Sequence, residues 1–499
     1  MNTAIEQLHQ ALGLIAPDVV ILATVCLMFF VAPFLVSERG DAPIGLRHRW
    51  GWLALTGLAT AAALWWQSSP QPVNSGPFRL DDLAWLVRGL SLAGGAILVL
   101  LTWNQSDDAR AGETQACLLA IVAGVNLVAA ANDLVGLFVA LELVSIPTYL
   151  FLLLPRRDAP AQEATIKYFL LSVLSSALVL FGMSYLYGAT GTTNLEAIYA
   201  ALRLGQMGPM PGLLAVAAVM LVAGLGFRLT AVPFHFYAPD VFQGAPTAAA
   251  AMLSFVPKLA GFVALYRVLG VAASLPFGTW SLGDVSAPLL WWLAVLTMFV
   301  GNLLALLQTD VRRLLAFSSV SHAGYMLVGF VVGSSGPEKS PNGIEALFFY
   351  LAVYGAMTLG AFAALAAQQR GARCIESIDD LSGLSRTNFG VALLMAVFLF
   401  SLTGLPPTAG FLGKFNLFLA AWSQGTESGR WLAIWLAANA AIGAWYYLKV
   451  VGVMFLRDPV SPAPVQPEPP AVVALVVCAA MTLGLFFAPS WLWELVQRV

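Results

Sequence analysis

The chain has 499 residues, of which 59% are hydrophobic and 10% charged. A soluble domain carries roughly 25% charged residues, and a formal net charge of −2 gives no field that would steer anions. A soluble enzyme, a nucleic-acid binder and a disordered chain are excluded, and a mean hydropathy of +0.82 leaves a polytopic membrane protein. Long unbroken apolar runs, not short alternating strands, make its fold class all-α rather than a barrel.

The opening MNTAIEQLHQ has no basic stretch and carries Glu6. The first apolar run is therefore expected to remain as a span and not to be cleaved as a leader. About 20 apolar residues cross the hydrocarbon core. Fourteen runs are counted, in 15–36, 50–66, 83–103, 114–131, 134–154, 163–187, 212–232, 247–270, 288–307, 314–332, 344–367, 388–404 (continuing as 408–423), 430–456 and 471–495. About 14 transmembrane helices are expected, with short connections. The one low-complexity stretch, PVSPAPVQPEPP at 459–470, reads as a stiff extended linker before the last span.

Loop charges set the orientation. Twelve basic residues, Arg39, Arg47, Arg49, Arg110, Arg156, Arg157, Arg312, Arg313, Arg370, Arg373, Arg386 and Arg457, fall on one side. Seven, Arg79, Arg88, Arg203, Arg267, Lys339, Arg430 and Arg498, fall on the other. The richer side is expected to be cytoplasmic, with both termini on the outer, periplasmic side.

Two spans are interrupted. The seventh breaks at LTAVPFHFYAPDVFQGAP (229–246) and the twelfth at LTGLPPTAGFLGKF (402–415). Five spans separate the breaks, which is the pattern of a five-helix unit used twice, as spans 4–8 and 9–13. A unit with an odd number of spans is inverted on repetition, and matched broken helices mark an ion or substrate path near the midplane. The expected divisions are a three-helix segment at 1–110, a first antiporter-like repeat at 111–271, a second at 288–456, and the linker with the last helix at 457–499. The four cysteines show no CxxC spacing and no Cys/His cluster, so no metal site is expected.

Six ionisable groups stand inside apolar runs: Glu142, Lys167, Arg228, Lys258, Lys414 and Lys449. Each charge costs about 2.5–3.5 kcal/mol or more at the centre of a lone helix, so such residues face a polar interior. Glu142 lies mid-span. Lys258 follows Pro257 mid-span, and Lys414 follows the Pro-Pro break among aromatics. Arg228 precedes the first break. Lys167, four residues from Glu163, and Lys449, eight before Arg457, are also placed to snorkel. His322 sits among Ser318, Ser319 and Ser321, a set able to hold water. A row of buried Glu and Lys bridged by water passes protons, since the protonation of each responds to the charge beside it. No Ser-His-Asp arrangement, P-loop or GxGxxG motif points to covalent or redox chemistry.

The block FRLTAVPFHFYAPDVFQGAPTAAAAMLSFVPKLAGF (227–262) resembles the signature of the antiporter-like subunits of respiratory complex I. PDVFQGAP, EATIKYFLLSVLSSALVLFGMSYLYGATGTTNL (163–195), LELVSIPTYL (141–150), VRRLLAFSSVSHAGYMLVG (311–329) and TGLPPTAGFLGKFNLF (403–418) are similar to subunit N more than to its paralogues M and L. The resemblance covers about 114–456. It implies a proton-translocating subunit of a bacterial NADH:quinone oxidoreductase in the cell inner membrane. Its partners would be the other membrane-arm subunits, including antiporter-like paralogues, and the lipid bilayer, with no nucleic acid. It implies no cofactor bound by this chain, with NADH, FMN, iron–sulfur clusters and quinone handled by partner subunits. Residue by residue, Glu142 matches the family's fifth-span glutamate, Lys167 its sixth-span lysine, Lys258 its eighth-span lysine and Lys414 its twelfth-span lysine. Arg228 departs from the pattern, because the family carries lysine there. An arginine keeps its proton, so Arg228 reads as a fixed positive gate while Lys258 and Lys414 relay; His322 is expected on the proton path or as a structural residue. The competing readings are a subunit of a multisubunit cation/proton antiporter and a membrane spacer.

Overall fold

A computed structural model of the chain describes residues 15–37, 42–68, 73–156, 158–203, 212–270, 282–333, 342–368, 375–459 and 467–498. Glu6, Arg39, Arg157, Lys339, Arg370, Arg373, Cys374 and residues 460–466 of the proline-rich stretch lie outside these. The described residues form nineteen α-helices and one two-stranded antiparallel ribbon, β1 (Val73–Ser75) with β2 (Phe78–Leu80).

The helices before the first break are α1 (Ala16–Val31), α2 (Leu46–Gln67), α3 (Asp82–Thr102), α4 (Ala111–Ala130), α5 (Leu134–Leu153), α6 (Ala159–Thr190), α7 (Leu195–Arg203) and α8 (Gly212–Leu229). Then come α9 (Ala238–Gly244), α10 (Thr247–Leu265), α11 (Leu282–Leu306), α12 (Val311–Val332), α13 (Gly343–Ala367) and α14 (Leu384–Thr387). The last are α15 (Phe389–Thr403), α16 (Ala409–Ser423), α17 (Glu427–Leu456), α18 (Pro469–Phe487) and α19 (Ser490–Val496). Several starts follow ordinary capping rules. Asp81, Asp133, Asp158 and Asp310 each accept backbone N–H groups of the helix they precede, and Asn342 with Glu345 forms a capping box.

Twelve described helices are long and apolar enough to cross a membrane, so the protein is multi-pass. Two of the fourteen runs fall outside the twelve. Run 50–66 is α2, whose start carries Arg47, His48 and Arg49 and which holds four tryptophans. Run 388–423 is split by the second break into α15 and α16, of 15 residues each.

The chain forms two compact units. Unit 1 comprises Met1–Arg228, Leu259–Pro288 and Arg498–Val499; unit 2 comprises Leu229–Lys258 and Leu289–Gln497. In unit 1 the centre is α4, buried on every side except at Glu113 and Leu127, as an all-round apolar helix must be. Gly124 lets α5 approach: a Cβ there would stand 2.9 Å from the Val144 nitrogen. In unit 2 the centre is α12 with α13, the latter buried except at Glu345 and Ala366.

Three arginines read from the sequence as loop or span-end charges are in fact buried. Arg88 pairs with Asp18 at 2.5 Å, both no more than 2% exposed. Arg267 grips Asp81 through both terminal nitrogens at 2.5 and 2.6 Å and donates to the Ala129 carbonyl. Arg312 donates to the Ala245 carbonyl at 3.1 Å. The guanidinium presents five donors in a rigid fork. Close to a span's end it can turn inward onto a carboxylate or a free helix carbonyl, and position along the run does not reveal which way it turns.

The start of α2 has Gly45 as its cap, with no side chain to accept the free N–H groups. Asp108 supplies the acceptors from the loop after α3, taking the Gly45 N–H at 3.1 Å and the Arg47 N–H at 2.8 Å. Burial pushes the Asp108 carboxyl up, but those N–H groups and the charges of Arg47 and His48 outweigh it and hold it below its ordinary value. Its stabilising contribution is thus present above the ordinary carboxylate range and is lost as pH falls through the lowered value. Asp108→Ala is expected to cost about 1 kcal/mol at neutral pH, with the difference from the parent closing in acid. Thermal unfolding of detergent-solubilised protein at stepped pH measures both; a deficit unchanged in strong acid would refute the assignment.

Candidate functional site

In unit 1, Glu142 and Arg228 come together. Glu142 Oε1 accepts from Arg228 Nη2 at 3.4 Å and from the Ser176 hydroxyl at 2.5 Å. Arg228 is in the last turn of α8, where its charge complements the helix dipole. Its side chain is buried, and its Nε has no hydrogen-bond partner among the described residues. Glu142 is 24% exposed. It shares a face of α5 with the exposed Val135, Val139, Ile146 and Leu150. Lys167 pairs with Glu163 one turn earlier at 2.6 Å, on a face of α6 with the exposed Ile166, Leu170 and Leu174. Lys449 is exposed on α17.

In unit 2, Lys258 is fully buried on α10. Its ammonium donates to the Ser319 carbonyl at 2.7 Å and to the Ser319 hydroxyl, and lies 5.7 Å from the centre of the Tyr354 ring. The Tyr354 hydroxyl donates to the same Ser319 oxygen at 2.9 Å. One turn along α12, His322 is clasped between two tyrosines: Nδ1 to Tyr350 Oη at 2.6 Å and Nε2 to Tyr447 Oη at 3.0 Å. Tyr447 Oη also bonds the Ser318 hydroxyl. Each of these hydroxyls, and the neutral imidazole, is both donor and acceptor, the property a proton chain requires. Three helices, α12, α13 and α17, supply it.

Lys414 is explained by the second break. An α-helix leaves its last four carbonyls unpaired. At the end of α15, Gly404 takes φ +89°, a left-handed conformation that glycine adopts without a steric penalty. Its N–H reaches the Ser401 carbonyl at 3.0 Å and the Leu405 N–H reaches Phe400 at 3.0 Å, a Schellman closure. The carbonyls of Leu402 and Thr403 remain, and Lys414 Nζ takes both, at 2.7 and 3.0 Å. The ammonium also lies 4.9 Å from the centre of the Tyr325 ring. Neither Lys258 nor Lys414 is paired with a carboxylate among the described residues. The first break is also satisfied locally: the Val232 N–H donates to the Thr297 hydroxyl at 3.0 Å, and Thr230, at φ +58°, bonds the Leu229 carbonyl through its own hydroxyl.

The tyrosines were not singled out in the sequence, where they read as bulk within apolar runs. The signals that mark them are Tyr350 and Tyr354, four apart on one face of α13, and the adjacent Tyr446 and Tyr447 of α17. Among the described residues no group of His, Cys, Asp and Glu is arranged to hold a metal ion.

Replacing Lys414 with methionine keeps length and removes the donor. It is expected to lower stability by about 1–3 kcal/mol for each carbonyl left unpaired, read as an earlier thermal unfolding in detergent. An unchanged unfolding temperature would mean the carbonyls do not depend on it.

The family described as NADH:quinone oxidoreductase/Mrp antiporter, TM matches residues 131–440. The NADH-quinone oxidoreductase subunit N of Trichlorobacter lovleyi is 35% identical, over 100% of this chain and 99% of that protein. A chain of the respiratory complex I from Thermus thermophilus with bound aureothin superposes with a TM-score of 0.78 at 30% identity, covering 96% of this chain and 98% of that one. The Mrp complex from a Dietzia species gives a TM-score of 0.78 at 23% identity over 96% of each chain, a likeness of fold. Motifs, fold and full-length similarity agree, and the chain belongs to the subunit N family of respiratory NADH-quinone oxidoreductase.

Proposed function

We propose that this chain moves protons across the bacterial inner membrane as a membrane-arm subunit of NADH-quinone oxidoreductase. NADH oxidation and quinone reduction, with FMN and iron–sulfur clusters, belong to partner subunits. The observation that carries this reading is the pair of buried lysines in unit 2, Lys258 and Lys414, each held by neutral oxygens, with His322 hydrogen-bonded between tyrosines. A lysine tied to a carboxylate is held as an ion pair; one held by hydroxyls and carbonyls is free to give its proton to water that reaches it. Glu142 and Arg228 form the electrostatic end of the path. Arg228 does not relay but fixes a positive charge against Glu142. Lys167, close to Glu163, adjusts the field on the same side. Glu142, 24% exposed on an otherwise apolar face of α5, fits a neighbouring antiporter-like subunit that covers it, because the part of a carboxylate that faces lipid is costly.

The antiporter reading shares the fold, but full-length identity to subunit N favours the oxidoreductase. The divisions 1–110, 111–271, 288–456 and 457–499, with spans 4–8 and 9–13 as inverted repeats, are supported by the two interruptions, after Leu229 and after Thr403. Both termini are assigned to the periplasmic side. Arg88 and Arg267, buried in ion pairs, come from the poorer set of loop charges and Arg312 from the richer, so the excess on the cytoplasmic side persists.

In sealed vesicles bearing the assembled complex, Lys258→Ala and Lys414→Ala are each expected to slow NADH-driven proton uptake by roughly a hundredfold, the low end for loss of a positioned proton-transfer group. Uptake at the parent rate in both variants would sink the path. For Arg228 the expected order is a near-normal rate in Arg228→Lys and a low one in Arg228→Ala; normal rates in both would dismiss the gate.

A further inference from the structure

A cavity of about 240 Å³ lies in unit 1 where several membrane spans end. Its wall takes the start of α3, the residues between α4 and α5, part of α7 and the π-helical turn Tyr266–Gly270 that follows α10. The ends of spans lie at the level of lipid headgroups. Tryptophans mark that level: Trp85, in the first turn of α3, packs at 4.4 Å on Trp65, and the adjacent Trp66 is exposed.

The wall carries both signs of charge. Arg267 is fully engaged, with both terminal nitrogens on Asp81 and its Nε on the Ala129 carbonyl at 3.0 Å. Arg79 stands against the same carboxylate, Nε to Oδ2 at 3.0 Å. One carboxylate thus serves two guanidinium groups and leaves a positive surplus beside the cavity. Two further lining groups, Arg498 and Asp82, have no ion-pair partner among the described residues. Asn132 also lines the cavity and is 2% exposed. Its amide nitrogen donates to the Gly76 carbonyl at 3.2 Å, while its Oδ1 is buried with no partner among the described residues. A buried acceptor of this kind calls for a donor.

We propose that this cavity binds the headgroup of one aminophospholipid, a phosphate ester bearing an ammonium group. Arg79 and Arg498 take the phosphate, because a guanidinium fork matches phosphate oxygens in pairs. Asp82 and Asn132 take the ammonium, as countercharge and as acceptor. Arg267, locked on Asp81, holds the wall in shape. The volume is below the roughly 300–1,000 Å³ of a pocket for a drug-sized ligand, so it suits a headgroup whose acyl chains stay in the bilayer. On the orientation proposed above, that lipid belongs to the outer leaflet. The site makes no use of Lys258, His322 or Lys414.

The test is equilibrium binding of labelled probes to the detergent-washed, assembled complex. The probes are short-chain phosphatidylethanolamine, short-chain phosphatidylcholine and inorganic phosphate. Lipid sites elsewhere are common to parent and variant, so the difference between the two reads this cavity. Arg498→Gln removes one charge from an exposed residue beyond the last helix. It is expected to weaken one phosphatidylethanolamine site roughly tenfold, as is Arg79→Gln. Phosphatidylcholine has the same charge but no N–H, and is expected to bind the parent site roughly fivefold more weakly than phosphatidylethanolamine. Equal phosphatidylethanolamine binding in parent and Arg498→Gln would overturn the site, and phosphatidylcholine binding as tightly as phosphatidylethanolamine would overturn the ammonium assignment. A parent-to-variant difference confined to inorganic phosphate would mean a soluble anion on the arginines and would overturn the lipid. Should Arg79→Gln not assemble, Arg498→Gln alone decides.

Discussion

A carbonyl oxygen deep in an apolar layer has no water to bond, and every interruption of a membrane helix creates such oxygens. At the end of α15 the Gly404 turn satisfies two of four, and the Lys414 ammonium satisfies the other two. The dependence runs both ways. The interrupted helix presents its negative dipole end to the ammonium, and the ammonium closes the interruption. A continuous helix would offer no free carbonyls, and the lysine would need a carboxylate or the membrane surface. The broken helix is therefore what allows a charge to sit in the interior without a fixed counter-ion.

The two units treat buried charge differently. Unit 1 neutralises it in pairs: Asp18 with Arg88, Asp81 with Arg267, Glu142 with Arg228. Such pairs are strongly destabilising to break and add little net stability over a well-packed apolar core. Unit 2 surrounds its two buried lysines and its histidine with serine and tyrosine oxygens and main-chain carbonyls. These partners tolerate either protonation state of the group they hold. The Glu142–Arg228 contact is the weakest of the pairs, at 3.4 Å, and Glu142 is shared with Ser176. A loosely held carboxylate beside a permanent cation responds to charge nearby, which suits an element that couples rather than conducts.

Much of the architecture was legible because bilayer physics writes it into composition. Long apolar runs marked the spans, and proline clusters at 229–246 and 402–415 marked the breaks. Glu142, Lys258 and Lys414 stood out because charge is rare in such runs. Arg88, Arg267 and Arg312 were misread, since a guanidinium within a few residues of a span's end can turn out to the headgroups or in to a partner, and sequence position does not distinguish them. The partners of His322 were hidden for another reason. Tyrosine counts as apolar bulk in a hydropathy reading, so Tyr350, Tyr354 and Tyr447 looked like packing until three helices met around one imidazole. The Lys414 contacts were hidden too, because they are made to main-chain oxygens, which every sequence has.

The central claim is that the hydroxyl and imidazole groups between the two buried lysines carry protons and do not merely fill space. His322 is the group through which they meet, hydrogen-bonded on both ring nitrogens. Proton uptake in sealed vesicles during NADH oxidation, with His322→Phe in the assembled complex, measures this most directly. Phenylalanine keeps the ring volume and removes both nitrogens. The account predicts that the complex still assembles and that uptake collapses; uptake at the parent rate would contradict it.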